Sequence, residues 1–241
     1  FILIFLLINY KSKVFRSIIN SGIPGLVGGT VLAFGYASYV FAMYNTTVAN
    51  ANFIIQTQTI FLAIFGYIFL KEKISKITLS SIILAFIGII LMLGSSLSPG
   101  QIQGNIVAFV MPISFAVLIL VIRKYRNIDM IPLQLIAGIG AAIIGYILST
   151  TIFISYNDIF LGFIAGFFQV GIGFILITIG ARSTTSAFVG IIMLTEAVLG
   201  PLWAWIFLKE NPPIVVWIGG LIVMFAVLIR FINFKVEKNF N

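Results

Sequence analysis

Long apolar runs separated by short polar breaks organise the whole chain. A helix that crosses a bilayer needs about 20 mainly apolar residues. Seven runs meet that length, at roughly 23–44, 47–70, 79–97, 105–122, 131–152, 159–180 and 185–208, and an eighth extends from 213 to about 231. The breaks read "KEKISK", "SSLSPGQIQG", "RKYRNID", "SYND" and "KENPP", the Gly, Pro, Ser, Asn and charged punctuation expected between helices. The opening "FILIFLLINY" is about half a span and is followed by "KSKVFR". A signal peptide has its basic residues before the apolar stretch; here the order is reversed, so residues 1–10 read as the tail of a helix that begins upstream.

Composition supports lipid as the solvent. Hydrophobic residues make up 61% of the chain and charged ones 8%, against roughly 25% charged in soluble domains. Cysteine is absent, which excludes disulfides, thiolate metal sites and thiol nucleophiles. Histidine is absent too, removing imidazole ligation and the usual general base. The two aspartates, Asp129 and Asp158, fall in polar breaks rather than facing each other inside the bilayer. The expectation is a protein that is not an enzyme and carries neither metal nor cofactor.

Charge placement orients the runs. Lys11, Lys13 and Arg16, then Lys71, Lys73 and Lys76, then Arg123, Lys124 and Arg126, then Arg182, then Arg230, Lys235 and Lys238 occupy alternate breaks. Of the 14 basic residues, only Lys209 falls on the opposite side. The positive-inside rule makes the basic side cytoplasmic, and with it the C-terminus. A nucleic-acid patch would have no reason to skip every second break, so the net charge of +8 reports topology.

An internal repeat emerges between 46–72, "TTVANANFIIQTQTIFLAIFGYIFLKE", and 184–210, "TTSAFVGIIMLTEAVLGPLWAWIFLKE". They align without gaps at an offset of 138, with ten identities in 27 positions, among them Thr46/Thr184, Thr57/Thr195 and the closing "IFLKE". Gly28 and Gly35 land on Gly166 and Gly173. The second copy is the fifth helix after the first, and an odd step reverses direction across the membrane, giving inverted-topology repeats with a substrate site expected near the midplane. The expected architecture is an all-α polytopic membrane protein of two such five-helix repeats, residues 1–97 and 105–234. The counterparts of 105–122 and 131–152 place about 35–40 residues upstream, one helix and half of the next, for ten helices in all.

These features resemble the EamA branch of the drug/metabolite transporter superfamily: two copies of a threonine-led helix closing on a glutamate, in a five-plus-five inverted arrangement covering the whole chain. The family usually closes such helices with Gly-Glu, where this chain has Lys-Glu twice. The resemblance implies a multi-pass carrier of the bacterial or archaeal inner membrane, monomeric or homodimeric. It would export amino acids, related metabolites or drugs through a cavity open alternately to each side, with protons as a candidate coupling ion. A lipid-handling protein or a non-transporting membrane subunit is the alternative.

Candidate site residues follow from polarity at depth. Glu196 sits about half-way along its run, where a charged carboxylate costs roughly 2.5–3.5 kcal/mol on insertion scales. It therefore faces a cavity, as a substrate or proton site, or hydrogen-bonds a neighbouring helix. No Lys or Arg lies at comparable depth to pair with it. Trp203 shares its face seven residues on, with Gly200 leaving room between them. On the matching helix, Asn52, Gln56 and Thr59 fall at i, i+4 and i+7, one face that suits either a cavity wall or close packing. Gln58, the positional counterpart of Glu196, lies off that stripe. Tyr36 and Tyr39 could line the site through their hydroxyls, while Tyr44 reads as an interface anchor and Trp205 as a lipid or packing residue. Pro112 and Pro201 interrupt helices internally and are candidate hinges or static kinks. The Gly162/Gly166 pair and the Ala137/Ala141/Gly145 series read as close helix packing. Lys71–Glu72 and Lys209–Glu210 read as interfacial helix ends, with a gate pair as the other possibility.

Overall fold

The computed structural model describes residues 1–93, 102–149, 155–209 and 211–239. Among them only helical elements occur, as lipid demands of a chain whose backbone must satisfy its own polar groups. In order these are α1 (Ile2–Tyr10), α2 (Val14–Asn20), α3 (Gly22–Asn45), α4 (Val48–Gln56), α5 (Gln58–Leu70), α6 (Lys76–Leu93), α7 (Ile102–Ala108) and α8 (Val110–Lys124). There follow α9 (Ile131–Leu148), α10 (Tyr156–Ile164), α11 (Gly173–Ala181), α12 (Ser186–Met193), α13 (Thr195–Trp203) and α14 (Ile214–Asn239). Two π-helical stretches, Ala165–Ile172 and Ala204–Leu208, join α10 to α11 and extend α13.

Seven helical stretches are long and apolar enough to cross a membrane, and the eighth expected run survives as the shorter Lys76–Met92. Side chains cap several starts: Thr47 accepts from the N–H of Asn50 at 3.1 Å, Ser75 from Thr78 at 3.1 Å and Ser155 from Asp158 at 3.1 Å. Ser75 and Ser155 set α6 and α10 three residues earlier than the hydropathy pattern places them. The basic break after α1 is itself mostly helical, with α2 inserted before α3.

Four of the expected spans are interrupted. Pro112 has no N–H to give the carbonyl of Ala108 four residues back, and the helix breaks at Phe109, between α7 and α8. The 47–70 run breaks at Thr57 and the 185–208 run at Leu194. The fourth, 159–180, carries the π-helical stretch Ala165–Ile172.

The chain divides into two units, each drawing segments from both halves of the sequence. The first comprises residues 1–37 and 117–184, the second 38–116 and 185–241. In the first, Leu6, Ile131 and Ile175 form a core flanked by Phe1, Phe5 and Leu135. Gly28 and Gly29 let α3 approach α9 closely, since a Cβ at Gly29 would lie 2.9 Å from the carbonyl oxygen of Leu133. Asp129 ties this unit together: it accepts from Arg182 Nη2 at 2.7 Å, from the backbone of Ile131 at 3.1 Å and from the Tyr10 hydroxyl. The Gly162/Gly166 spacing finds no packing partner among the described residues. A Cβ at either position meets nothing within 4 Å, and the same holds for Gly145. Small residues at helical spacing permit close approach but do not compel it.

The second unit is built on α6 against α14. A Cβ at Gly88 would lie 2.6 Å from the carbonyl oxygen of Gly219, and one at Gly219 2.5 Å from that of Gly88. The two backbones touch at this reciprocal pair. Six of the seven buried residues of α6, Ser81, Ile82, Ala85, Gly88, Ile89 and Met92, fall 138 positions before the buried residues of α14, Gly219, Gly220, Val223, Ala226, Val227 and Arg230; Thr78 is the exception, its counterpart Val216 being only half-buried. The offset found in sequence between 46–72 and 184–210 thus recurs in burial beyond those stretches.

Arg230 corrects one expectation. It sits inside α14 within an apolar stretch spanning Ile214–Asn233, is 3% exposed, and places its guanidinium over the Phe188 ring at 5.4 Å from the centroid. A basic residue therefore does enter a span, near its end, by lying on an aromatic face.

Candidate functional site

Gln56, Thr59 and Glu196 flank two helix breaks, at Thr57 and Leu194. At Thr57 the N–H bonds the carbonyl three residues back, Ile54, at 3.0 Å, and at Leu194 the N–H divides between Gly190 at 3.3 Å and Ile191 at 3.2 Å. Each break is a one-residue tightening of the helix rather than an unwound gap. The hydroxyls of Thr57 and Thr195 turn onto the carbonyls of Ile54 and Ile192, three residues back in each case. Such back-bonding bends helices. Matched positions agree at the ends as well. Thr47 and Thr185 both adopt φ −72°, ψ 149°, and Lys71 and Lys209 both turn into the left-handed region at φ 55° and 60°.

Glu196 lies in the first turn of α13, directly after the second break. Its side chain is exposed, and within its unit no described residue hydrogen-bonds or ion-pairs with it. Tyr39, half-buried on α3, is close enough for the Glu196 charge to act on its hydroxyl. Trp203 ends the same helix, 50% exposed, with its ring 5.6 Å from that of Phe207. No residue of α13 is buried. Pro201 lies inside α13, and the widened π-turns of Ala204–Leu208 begin three residues later.

On the matching helix the expected stripe is divided by the break at Thr57. Asn52 is half-buried on α4. Gln56 is buried at 4% exposure, and its Oε1 has no partner among the described residues. Thr59 is fully buried and donates to the Gly190 carbonyl at 3.0 Å, which commits it to the contact between α5 and α12. Gln58, which the helical wheel sets apart from this stripe, is 2% exposed with Nε2 unpartnered among the described residues. Two buried amides at one break, each with an unmet hydrogen-bonding atom, form a polar spot that a straight-helix projection does not reveal.

Tyr36 belongs to the first unit; its hydroxyl is buried without a partner among the described residues and its ring meets Phe174 edge-on at 5.4 Å. Tyr44 is 86% exposed, and Trp205 packs edge-on against Trp217 at 5.3 Å. Ala49 can be placed only as helix backbone, and Glu210 lies outside the described residues. Among the described residues no group of three or more acidic side chains is placed to hold a metal ion.

Sequence reading offered Glu72 as a helix end or one of a gate pair, but not its partner. Its carboxylate accepts from the backbone N–H of Ser186 at 2.8 Å and from the Ser186 hydroxyl at 3.3 Å. The "IFLKE" repeat flagged the position but gave no clue to its partner 114 residues away.

Comparison with known proteins accords with this picture. Residues 1–94 and 102–232 match the sequence pattern of the EamA-like transporter family. An uncharacterized transporter of Methanothermobacter thermautotrophicus (strain Delta H) is 25% identical over 207 residues, covering 79% of this chain and 59% of its own length. The chain thus spans about three-fifths of that relative. A solved crystal structure superposes over 90% of this chain and 92% of its own with a TM-score of 0.68 at 14% identity, a likeness of fold alone.

Proposed function

Because this chain belongs to the EamA-like transporter family, a family of multi-pass membrane proteins, we propose that it is a secondary carrier for a small metabolite or drug bearing an amino or other cationic group. The observation that carries this reading is Glu196: an accessible carboxylate half-way along a span, following a helix break and without an ion-pair partner in its unit. A carboxylate at that depth is costly unless it meets water, a proton or a cationic ligand. Trp203 on the same helix adds an aromatic face suited to an organic cation, and Tyr39 in the same unit adds a hydroxyl. Asn52, Gln56 and Gln58 supply amides on the matching helix.

Binding a proton in one state and the substrate in the other couples the two fluxes, since each ligand shifts the populations of two conformations by its differential affinity. The matched backbone angles of Thr47 and Thr185, the matched hydroxyl bonds of Thr57 and Thr195 and the burial shared by α6 and α14, all at an offset of 138, support two repeats of opposite topology, residues 1–97 and 105–234, working by alternating access. We place the protein in the inner membrane, C-terminus cytoplasmic, exporting its substrate. The test is counterflow in liposomes holding the full-length protein, comparing radiolabelled cationic amines, zwitterionic amino acids and neutral nucleosides. Retention of the amine class alone fits the site; uptake confined to anionic compounds contradicts it.

A further inference from the structure

The helix pair α5 and α12 is closed at one end by a single carboxylate. Lys71 turns the chain out of α5 in the left-handed region, and the N–H of Glu72 folds back to the Gly66 carbonyl at 3.0 Å. This reversal aims the Glu72 side chain at Ser186, the first residue of α12, whose N–H is one of the donors a helix start leaves without an internal partner. The bond is charge-assisted and lies at the positive end of the α12 dipole. Gly66 makes room for it: a Cβ there would come within 2.7 Å of Glu72 Oε2 and 3.0 Å of the Ser186 Cβ. From that end the contact runs along α5 through Gly66, Ala63, Leu62 and Thr59, all buried, to the hydrogen bond between Thr59 and Gly190. On the α12 side Ser186 through Ile191 are all buried.

The counterpart of α5 at the repeat offset is α13, and there the picture inverts. No residue of α13 is buried, and Leu199 and Trp203 are 41% and 50% exposed. One of two sequence-matched helices is thus packed along its length against α12, while the other touches the core through Ala197 and Val198 and leaves Leu199 and Trp203 exposed.

We propose that Glu72 is the latch of the end that is closed in this structure, its bond to the start of α12 holding α5 and α12 together while α13 stands accessible. Releasing the latch lets α5 part from α12 and α13 close, so that the path opens to the side carrying Lys71, Lys73 and Lys76. This assignment rests on the carrier reading above. Glu72 acts here as a positioning residue, remote from the proposed ligand site.

Because the chain has no native cysteine, single cysteines report each end cleanly. In the full-length protein, Thr59→Cys reports the closed contact and Trp203→Cys the open helix, each labelled with an impermeant maleimide in liposomes. Losing a charge-assisted bond worth about 1.5–3 kcal/mol shifts a two-state equilibrium by about tenfold or more. Glu72→Ala is therefore expected to speed labelling at position 59 by about tenfold and to slow it at position 203. Glu72→Gln keeps the shape and one acceptor, shifts both rates the same way by a smaller factor, and serves if the alanine variant does not fold. Faster labelling at 59 with no slowing at 203 means local fraying of a helix cap and overturns the latch, as do unchanged rates at both. The reciprocal shift is read without substrate, so a carrier that moves none of the compounds tested would refute the ligand reading and leave the latch standing.

Discussion

Thr57 and Thr195, 138 positions apart in the sequence, make the same local bond. Each hydroxyl donates to the carbonyl three residues back, Ile54 and Ile192, beside a one-residue tightening of its helix. The hydroxyl satisfies a carbonyl that the tightened turn draws away from its i+4 partner, so threonine suits a bend inside lipid where serine-rich or proline-rich loops could not be solvated. Replacing Thr195 by Val preserves shape and removes the bond. The expected result is a loss of about 0.5–1.5 kcal/mol in stability together with reduced transport, measured by thermal unfolding in detergent and by counterflow. An unchanged transport rate would show that the bend is set by packing alone.

Gly88 and Gly219 predict a sharp steric threshold. A Cβ on either enters within 2.6 Å of the opposing carbonyl oxygen, a backbone atom that cannot rotate away. Gly88→Ala is expected to cost about 1–3 kcal/mol, as overpacked contacts do, lowering the unfolding temperature. Gly145→Ala, with nothing within 4 Å of the added carbon, serves as the control and leaves it unchanged.

The ion pair of Arg182 with Asp129 predicts little. Its side chains are 30% and 32% exposed, and pairs with that much solvent typically contribute 0 to about 1 kcal/mol. Asp129→Asn keeps an acceptor for the Ile131 N–H and puts an amide NH2 where Oδ2 stood, so that the Tyr10 hydroxyl turns from donor to acceptor. It is expected to lower the unfolding temperature only slightly, with the loss shrinking further in high salt.

Hydropathy made the spans legible because lipid imposes one requirement on every outward residue, and that requirement is written along the whole run. The interruptions were not. Pro112 announces a missing donor, but the break it causes lies upstream at Phe109, next to the Ala108 carbonyl where its absent bond would have ended. Thr57 sits in "QTQT", with neither Gly nor Pro to mark a bend, and a straight helical wheel therefore set Gln58 apart from Gln56 although both are buried at the same break. The Gly162/Gly166 pair shows the reverse error, since a spacing compatible with close packing met no partner among the described residues. Glu72 was visible as one end of a repeat, yet its role depends on Ser186, which only the fold brings near.

Topology is testable with the same cysteine-free background. Cysteines at 71–76 and 123–126 should be protected from an impermeant reagent added outside intact cells, and those at 156–158 should react. The reverse pattern would contradict the orientation drawn from thirteen basic residues on one side. Of the outer segment 98–104, residues 98–101 lie outside the described residues.

The central claim is that the Glu196 carboxylate itself binds proton and substrate in turn. Glu196→Gln retains the side-chain shape and its hydrogen-bonding capacity but cannot titrate. The decisive measurement is the pH dependence of transport by the full-length protein in liposomes, wild type against Glu196→Gln, with both shown to be folded. The account predicts that proton-driven transport falls at least tenfold and that what remains no longer varies with pH. Wild-type rates with an unaltered pH profile in the Gln variant would contradict it.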